Sequence, residues 1–183
     1  RLTAIMKKIN LEDQTEARGY RAILISTQRK YLKGFNFNKN QAFKSIFTQP
    51  LALENLADRS SASVILPQFD PRNSVYPPVG ATHFRIVHAL AVISDYAFNA
   101  TTKAYEPIAF QENELSAVSY SGYIPVDQAT AAVMTIEADL APPAAISADA
   151  SVLQCIGIEF FQKVGVQYAN LYAAGALHVA EIF

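Results

Sequence analysis

Residues 82–99, THFRIVHALAVISDYAFN, contain no proline or glycine and carry apolar side chains on most even positions. Phe84, Ile86, Leu90, Val92, Tyr96 and Phe98 share one face of an extended chain, and Val87, Ala89, Ala91 and Ile93 share the other, between Arg85 and Asp95. A segment apolar on both sides in its middle and wet only at its charged ends reads as a central strand shielded by two layers. So long a strand predicts a domain that it can span, either a two-layer sandwich or a flattened barrel.

The flanking sequence supplies partners for it. PLALEN and ASVILPQF alternate in polarity around the polar LADRSS and predict a hairpin, and GFNFN before them predicts a strand start. DPRNSVYPPVG, rich in proline, must be a long connection, and NATTK turns the chain into AYEPIAF, whose Pro107 suits an edge strand or a strand end. In LSAVSYSGYIPV the pattern puts Val118, Tyr120, Ile124 and Val126 on one face against Ser119, Ser121 and Tyr123 on the other, with Gly122 as a bulge. AVMTIEADL alternates most clearly, with Met134, Ile136, Ala138 and Leu140 inward and Thr135, Glu137 and Asp139 outward. After the loop APPAAISADAS, the segments VLQCIGIEFFQKV and GALHVAEIF predict the last two strands. The sum is mainly β, an antiparallel β-sandwich of about eight or nine strands.

The front of the chain has a different period. Leu2, Ile5, Met6 and Ile9 form a helical stripe with Lys7 and Lys8 off it, which predicts the end of an amphipathic helix over 1–10. Gly19 breaks the pattern, and a second short helical or irregular piece is expected over 20–32. Residues 1–34 are thus expected to be a helical lead-in and 35–183 the sandwich domain. The start at Arg1, without an initiator methionine or a signal peptide, leads us to expect a further portion upstream.

Composition narrows the class of partner. A chain of 183 residues buries roughly 70% of its unfolded surface and folds without disulfides or metals. It is 51% hydrophobic and only 17% charged, which suggests that part of the surface is covered. A net charge of −1 steers it to neither nucleic acid nor anionic membrane, and no run is long and apolar enough for a membrane span. The single cysteine, Cys155, excludes an internal disulfide and reads as a small buried apolar filler.

Candidate chemistry is sparse. His83 and His88 are separated by an odd number and face opposite ways in one strand, and His178 stands alone, so each reads as a hydrogen-bonded sheet histidine and no metal site is expected. No G-x-S-x-G occurs, and Ser121 in SYSGY reads as a strand serine. Asp70, Asp95, Glu106, Glu112, Glu114, Asp127, Glu137, Asp139 and Glu159 read as a solvated rim. No phosphate-cradling glycine loop is present, so neither a cofactor nor a catalytic residue is expected. Asn99-Ala100-Thr101 is a glycosylation triplet at a predicted hairpin tip. There remain nine tyrosines and eleven phenylalanines with no tryptophan. Tyr105, Tyr120, Tyr123, Tyr168 and Tyr172 cluster late in the chain and are the candidate partner-binding residues, because tyrosine suits surfaces half-buried by a partner.

PVGATHFRIVHALAVISDY, CIGIEFFQKV and the closing YAAGALHVAEIF together resemble a family of uncharacterised β-rich proteins from Bacteroidetes. Its members show a P-x-G-x-T-H-F-[KR]-I-V strand, an L-G-I-E-F-[YF]-Q-x-V strand and a C-terminal N-A-[LIV]-x-I strand. The resemblance extends to RLTAIMKKIN and LKGFNFN, and implies a further N-terminal portion but no assigned activity. The chain departs from the family at KVGVQYANLYAAGAL, where relatives carry an N-G turn and a basic residue. The functional expectation is a non-enzymatic structural or assembly protein, a β-sandwich subunit that packs on copies of itself or on a protein partner. The alternative is a glycan-binding or adhesion sandwich, and a hydrolase would need carboxylates that converge in space.

Overall fold

A computed structural model describes residues 1–183. The protein is mainly β and antiparallel, with an N-terminal helix, as the periodicities predict. The strands number eleven, several of them short.

Helix α1 (Leu2–Glu12) carries the predicted stripe, with Ile9 buried and Ile5 and Met6 partly so. Residues 20–32 are mostly turns, with a single 3-10 turn at Arg29–Tyr31. GFNFN does not start a strand of its own. It runs beside the last strand, β11 (Ala176–Ile182), through Gly34 N to Val179 O (2.8 Å), Val179 N to Phe35 O (2.9 Å) and Phe37 N to Leu177 O (2.9 Å). A short helix, α2 (Phe43–Ile46), follows.

The predicted hairpin forms from β1 (Ala52–Asn55) and β2 (Ser61–Leu66), and β8 (Met134–Asp139) completes a three-stranded sheet in the order β1-β2-β8. The larger sheet is built on β3 (His83–Ser94) and β9 (Ala150–Val164), which pair from His83↔Phe161 to Ser94↔Ala150. On the far side of β3 lie β6 (Ser116–Tyr120) and β7 (Ile124–Pro125); beyond β9 lie β10 (Gln167–Asn170) and β11. Strand β10 escapes the sequence reading because it is short and bounded by a two-residue hairpin turn, Gly165-Val166, with Gly165 at φ 62°.

The long stretch is central, but it does not run straight to Asn99. At Ser94 and Asp95 the ladder gives way to other bonds: Ser94 Oγ donates to Asp95 O (2.7 Å) and accepts from Ala109 N (2.8 Å), and Asp95 N donates to Asp149 O (2.7 Å). Beyond this corner β4 (Tyr96–Asn99) and β5 (Ala104–Pro107) form a separate two-stranded sheet, with Pro107 at its end. Asp95 is therefore not the wet end that its charge suggested. It is 2% exposed, and its carboxylate accepts from Ser26 N (2.8 Å) and Ser26 Oγ, tying the lead-in to the corner.

The two sheets face each other across the core. At one end Phe84, Ile86, Ile158 and Phe160 meet Val64 and Ile136; at the other Leu90, Val92 and Val152 meet Ala62, Ala138 and Leu140. Between these apolar halves lies a polar layer from the same strands. His88 Nδ1 donates to Ile136 O (2.9 Å), which leaves Nε2 to accept from Gln154 Nε2 (3.1 Å); the same amide reaches Ser63 O (3.2 Å), and Gln154 Oε1 has no protein partner. Burial holds the His88 imidazole below its ordinary pKa.

The outer face of the large sheet is covered over only part of its area. Leu153 and Cys155 of β9, with Val179 and Ile182 of β11, pack on Ile9, Ile25 and Leu32 of the lead-in. Cys155 is the buried filler expected, its thiol pushed up to about 12 by desolvation. No helix is long and apolar enough to cross a membrane.

At Gly157 of β9 a side chain has no room: a Cβ would meet Ala176 O at 2.8 Å and Leu177 Cδ1 at 2.9 Å. Gly157→Ala is expected to cost about 2 kcal/mol by forcing β11 away, a drop in thermal midpoint of roughly 6 °C. Calorimetry of the variant checks it, and an unchanged midpoint would mean that β11 gives way freely.

Candidate functional site

The part of the outer face that the lead-in leaves uncovered holds most of the candidate tyrosines. Odd-numbered residues of β3 and β9 point to this side, so the register pair Arg85↔Glu159 stands on it, beside His83↔Phe161. Arg85 Nε donates to Glu159 Oε2 at 2.5 Å. The Arg85 guanidinium carbon lies 4.0 Å from the ring centre of Tyr120, 5.2 Å from that of Phe161 and 6.0 Å from that of Tyr123. Tyr123 stacks on Tyr168 at 3.8 Å with ring planes 4° apart and meets Phe161 edge to face at 4.9 Å. His83 abuts Tyr168 at 5.0 Å, and the Lys163 ammonium lies 5.6 Å from the same ring. Burial and Lys163 both lower the pKa of His83, so near neutral pH the platform's cations are Arg85 and Lys163.

Three of the five candidate tyrosines, Tyr120, Tyr123 and Tyr168, thus meet around one ion pair. Tyr105 does not join them. It sits on the β4–β5 hairpin against Phe98, and its hydroxyl donates to Arg21 O (2.9 Å), which pins the hairpin to the lead-in. Tyr172 lies in a 3-10 turn at 86% exposure and lines a cleft of about 290 Å³ with Asn170, Glu159 and Val87. Arg85, Glu159 and Phe161 belong to the site but were not candidates. Their signal was parity within each strand, and only the pairing of strands 74 residues apart brings them together.

The structure splits the face that the alternation groups together, with Val118 and Tyr120 outward and Ile124 in the core. Val118 and Tyr120 are about half exposed, and Ala117 and Ser119 face inward. Ser119 is the register partner of His88 and Ala117 of Leu90, and their small side chains face β8, which lies close above them. The chain recovers its parity at Ser121–Tyr123: Ser121 Oγ accepts from Ile86 N (2.8 Å) and donates to Gly122 O (2.8 Å), and Ile124 returns to the core.

β6 is also an unpaired edge. Ser121 N donates to Ile86 O, so by alternation Ala117 and Ser119 bond to β3 while the backbone groups of Ser116, Val118 and Tyr120 point off the sheet. The sequence SAVSY has none of the charges or prolines that guard exposed edges. Of the other edges, β1 carries Glu54, β8 carries Glu137 and Asp139, and β11 is covered by residues 34–37; β10, QYAN, at the opposite end of the large sheet, is likewise without charge or proline but is only four residues long.

His178 of β11 donates through Nδ1 to Ile156 O (3.1 Å) and stacks on Phe43 at 4.4 Å, and burial lowers its pKa. With Lys44 and Gln49 it borders a cleft of about 440 Å³. Most of the rim carboxylates are hydrogen-bonded within the protein: Asp70 pairs with Arg72 (2.6 Å), Glu106 accepts from Asn99 (2.7 Å) and Thr102 (2.6 Å), Glu112 from Ser147 N (2.8 Å) and Asp139 from Ala141 N (2.8 Å), beside Asp95 and Glu159 described above. No group of three or more His, Cys, Asp or Glu side chains converges in metal-binding geometry. No family model matches the chain, and no curated protein matches it.

Proposed function

We propose that this chain is a non-enzymatic assembly subunit, a β-sandwich that packs on copies of itself through the outer face and free edge of its large sheet. The observation that carries the reading is the juxtaposition of an unguarded edge, β6, with the Tyr120–Arg85–Tyr123–Tyr168 platform beside it. Antiparallel addition of a second β6 about Val118 satisfies the free backbone groups of both copies and sets Ser116 opposite Tyr120. It joins two platforms into one continuous surface of tyrosine and arginine, the residues that dominate binding energy at protein interfaces.

The platform suits a protein surface better than a sugar. Tyr123 and Tyr168 cover each other's faces and Arg85 covers one face of Tyr120, so the flat stacking surface a sugar uses is largely taken up within the protein. One observation favours the glycan-binding alternative: the ring of Tyr172 stands free above a cleft edged by Asn170 and Glu159. A glycan screen that gains hits lost in Tyr172→Ala would favour it. A protein partner of another sequence would use the same face as a second copy.

Val118→Lys tests the assembly reading. A charge on the edge is expected to weaken self-association at least tenfold, about 1.4 kcal/mol. The fold is spared, because Val118 is 51% exposed. Val166→Lys at the β9–β10 turn, 92% exposed, is the matched control and leaves association unchanged. Equal association constants for the two variants in sedimentation velocity would remove β6 from the interface.

A further inference from the structure

The geometry points to a binding site for a short hydrocarbon chain with an anionic head, in a cavity beneath α1 and away from the platform. Between the helix and the outer face of the large sheet lies a space of about 330 Å³ whose eleven lining residues are all hydrophobic. Met6 of α1, Ile25 of the lead-in, Phe35 of the segment beside β11, Ile93 of β3, Leu153 of β9 and Val179 of β11 supply its walls. The one lining side chain with a polar tip, Tyr96, has its hydroxyl hydrogen-bonded to Asn113 Nδ2 at 3.0 Å.

Protein interiors close up around apolar volume, because a gap forfeits the dispersion contacts of its walls. Here closure is incomplete. The helix buries only Ile9 fully, and Leu2 and Phe37, which also line the space, are about half exposed. A space with walls of this kind repels water and accepts hydrocarbon; roughly 150 Å³ of such volume suffices for benzene. This one is larger and falls within the size range of small-molecule sites.

The chemistry of the head group comes from Arg1. Its guanidinium carbon lies 5.3 Å from the ring centre of Phe35, a wall residue, and Nη2 donates to Asn36 O at 3.0 Å, so a cation stands beside the wall with donors to spare. A carboxylate placed there pairs with Arg1 while its chain enters the apolar space. The fitting ligand is a free medium-chain carboxylate, held at a site independent of the β6 edge.

The test uses the whole chain with N-phenyl-1-naphthylamine as fluorescent probe, and with decanoate and 1-decanol as competitors. The expected result is saturable probe binding of one molecule per chain, displaced by both competitors. Met6→Trp and Ile93→Phe fill the space from opposite walls and should each weaken the probe at least about tenfold, with a thermal midpoint equal to or above that of the parent. Arg1→Gln should weaken decanoate several-fold and leave decanol unchanged. Absence of saturable displacement by decanoate, or full affinity in both filled variants, overturns the site. An equal response of decanoate and decanol to Arg1→Gln overturns the assignment of the head group. Val118→Lys, which breaks assembly, leaves all these titrations intact if the two sites are separate.

Discussion

Phe160→Ala is expected to lower the free energy of unfolding by about 4 kcal/mol, in the range for a large aromatic lost from a core. Phe160 is 0% exposed and lies directly opposite Phe84 in the β3–β9 ladder, where the apolar end of the core joins both sheets. Its loss removes an aromatic ring from a cluster whose other members are spread over both sheets, α2 and the connections between them, so no single neighbour can move in to fill the space. Urea unfolding of the variant measures the change, with Val166→Ala at the 92% exposed turn position expected within about 0.5 kcal/mol of the parent. A Phe160→Ala loss below about 1 kcal/mol would mean that the sheets are not closed on each other as described.

The second large effect belongs to the polar layer. His88→Ala is expected to cost about 3 kcal/mol, from a cavity and from a Gln154 amide left with fewer partners. The same layer sets an acid limit. His88 has its ordinary pKa of 6.5 when unfolded and a lower one when buried, so the unfolded chain takes up the proton first as pH falls. Its contribution to stability is complete above pH 6.5 and is lost progressively as pH falls toward the folded value. His83 and His178 are shifted the same way and add to the slope. The double variant His88→Leu with Gln154→Leu removes both polar partners, so it should recover most of the single-variant loss and flatten part of the acid dependence. Unfolding midpoints measured from pH 8 to pH 5 in the three proteins decide the matter. A parent whose stability is flat across that range would contradict a buried neutral imidazole.

How much of this was readable in the amino acids depended on whether the information was local. Helix α1 and strand β8 were legible because each has one wet face and one dry face, and that contrast is written into consecutive residues. The centrality of β3 was legible for the same reason, since both of its faces are apolar. Strand β6 misled because valine and tyrosine look like core residues. Its inner face, Ala117 and Ser119, lies beside His88 and beneath β8, and that neighbourhood comes from strands elsewhere in the chain. Asp95 misled because its charge suggested solvent, whereas Ser26, from the lead-in, supplies the donors that let it be buried. The platform was half legible. Its tyrosines stood out by type and position, but Arg85, Glu159 and Phe161 join them only through the β3–β9 register.

The most direct test of the assembly reading is the mass of the unaltered chain in solution, measured by light scattering across a hundredfold range of concentration. Association through β6 predicts a mass that rises with concentration to a multiple of the 20.0 kDa chain and returns to 20.0 kDa in Val118→Lys. A parent that stays at 20.0 kDa throughout contradicts self-assembly.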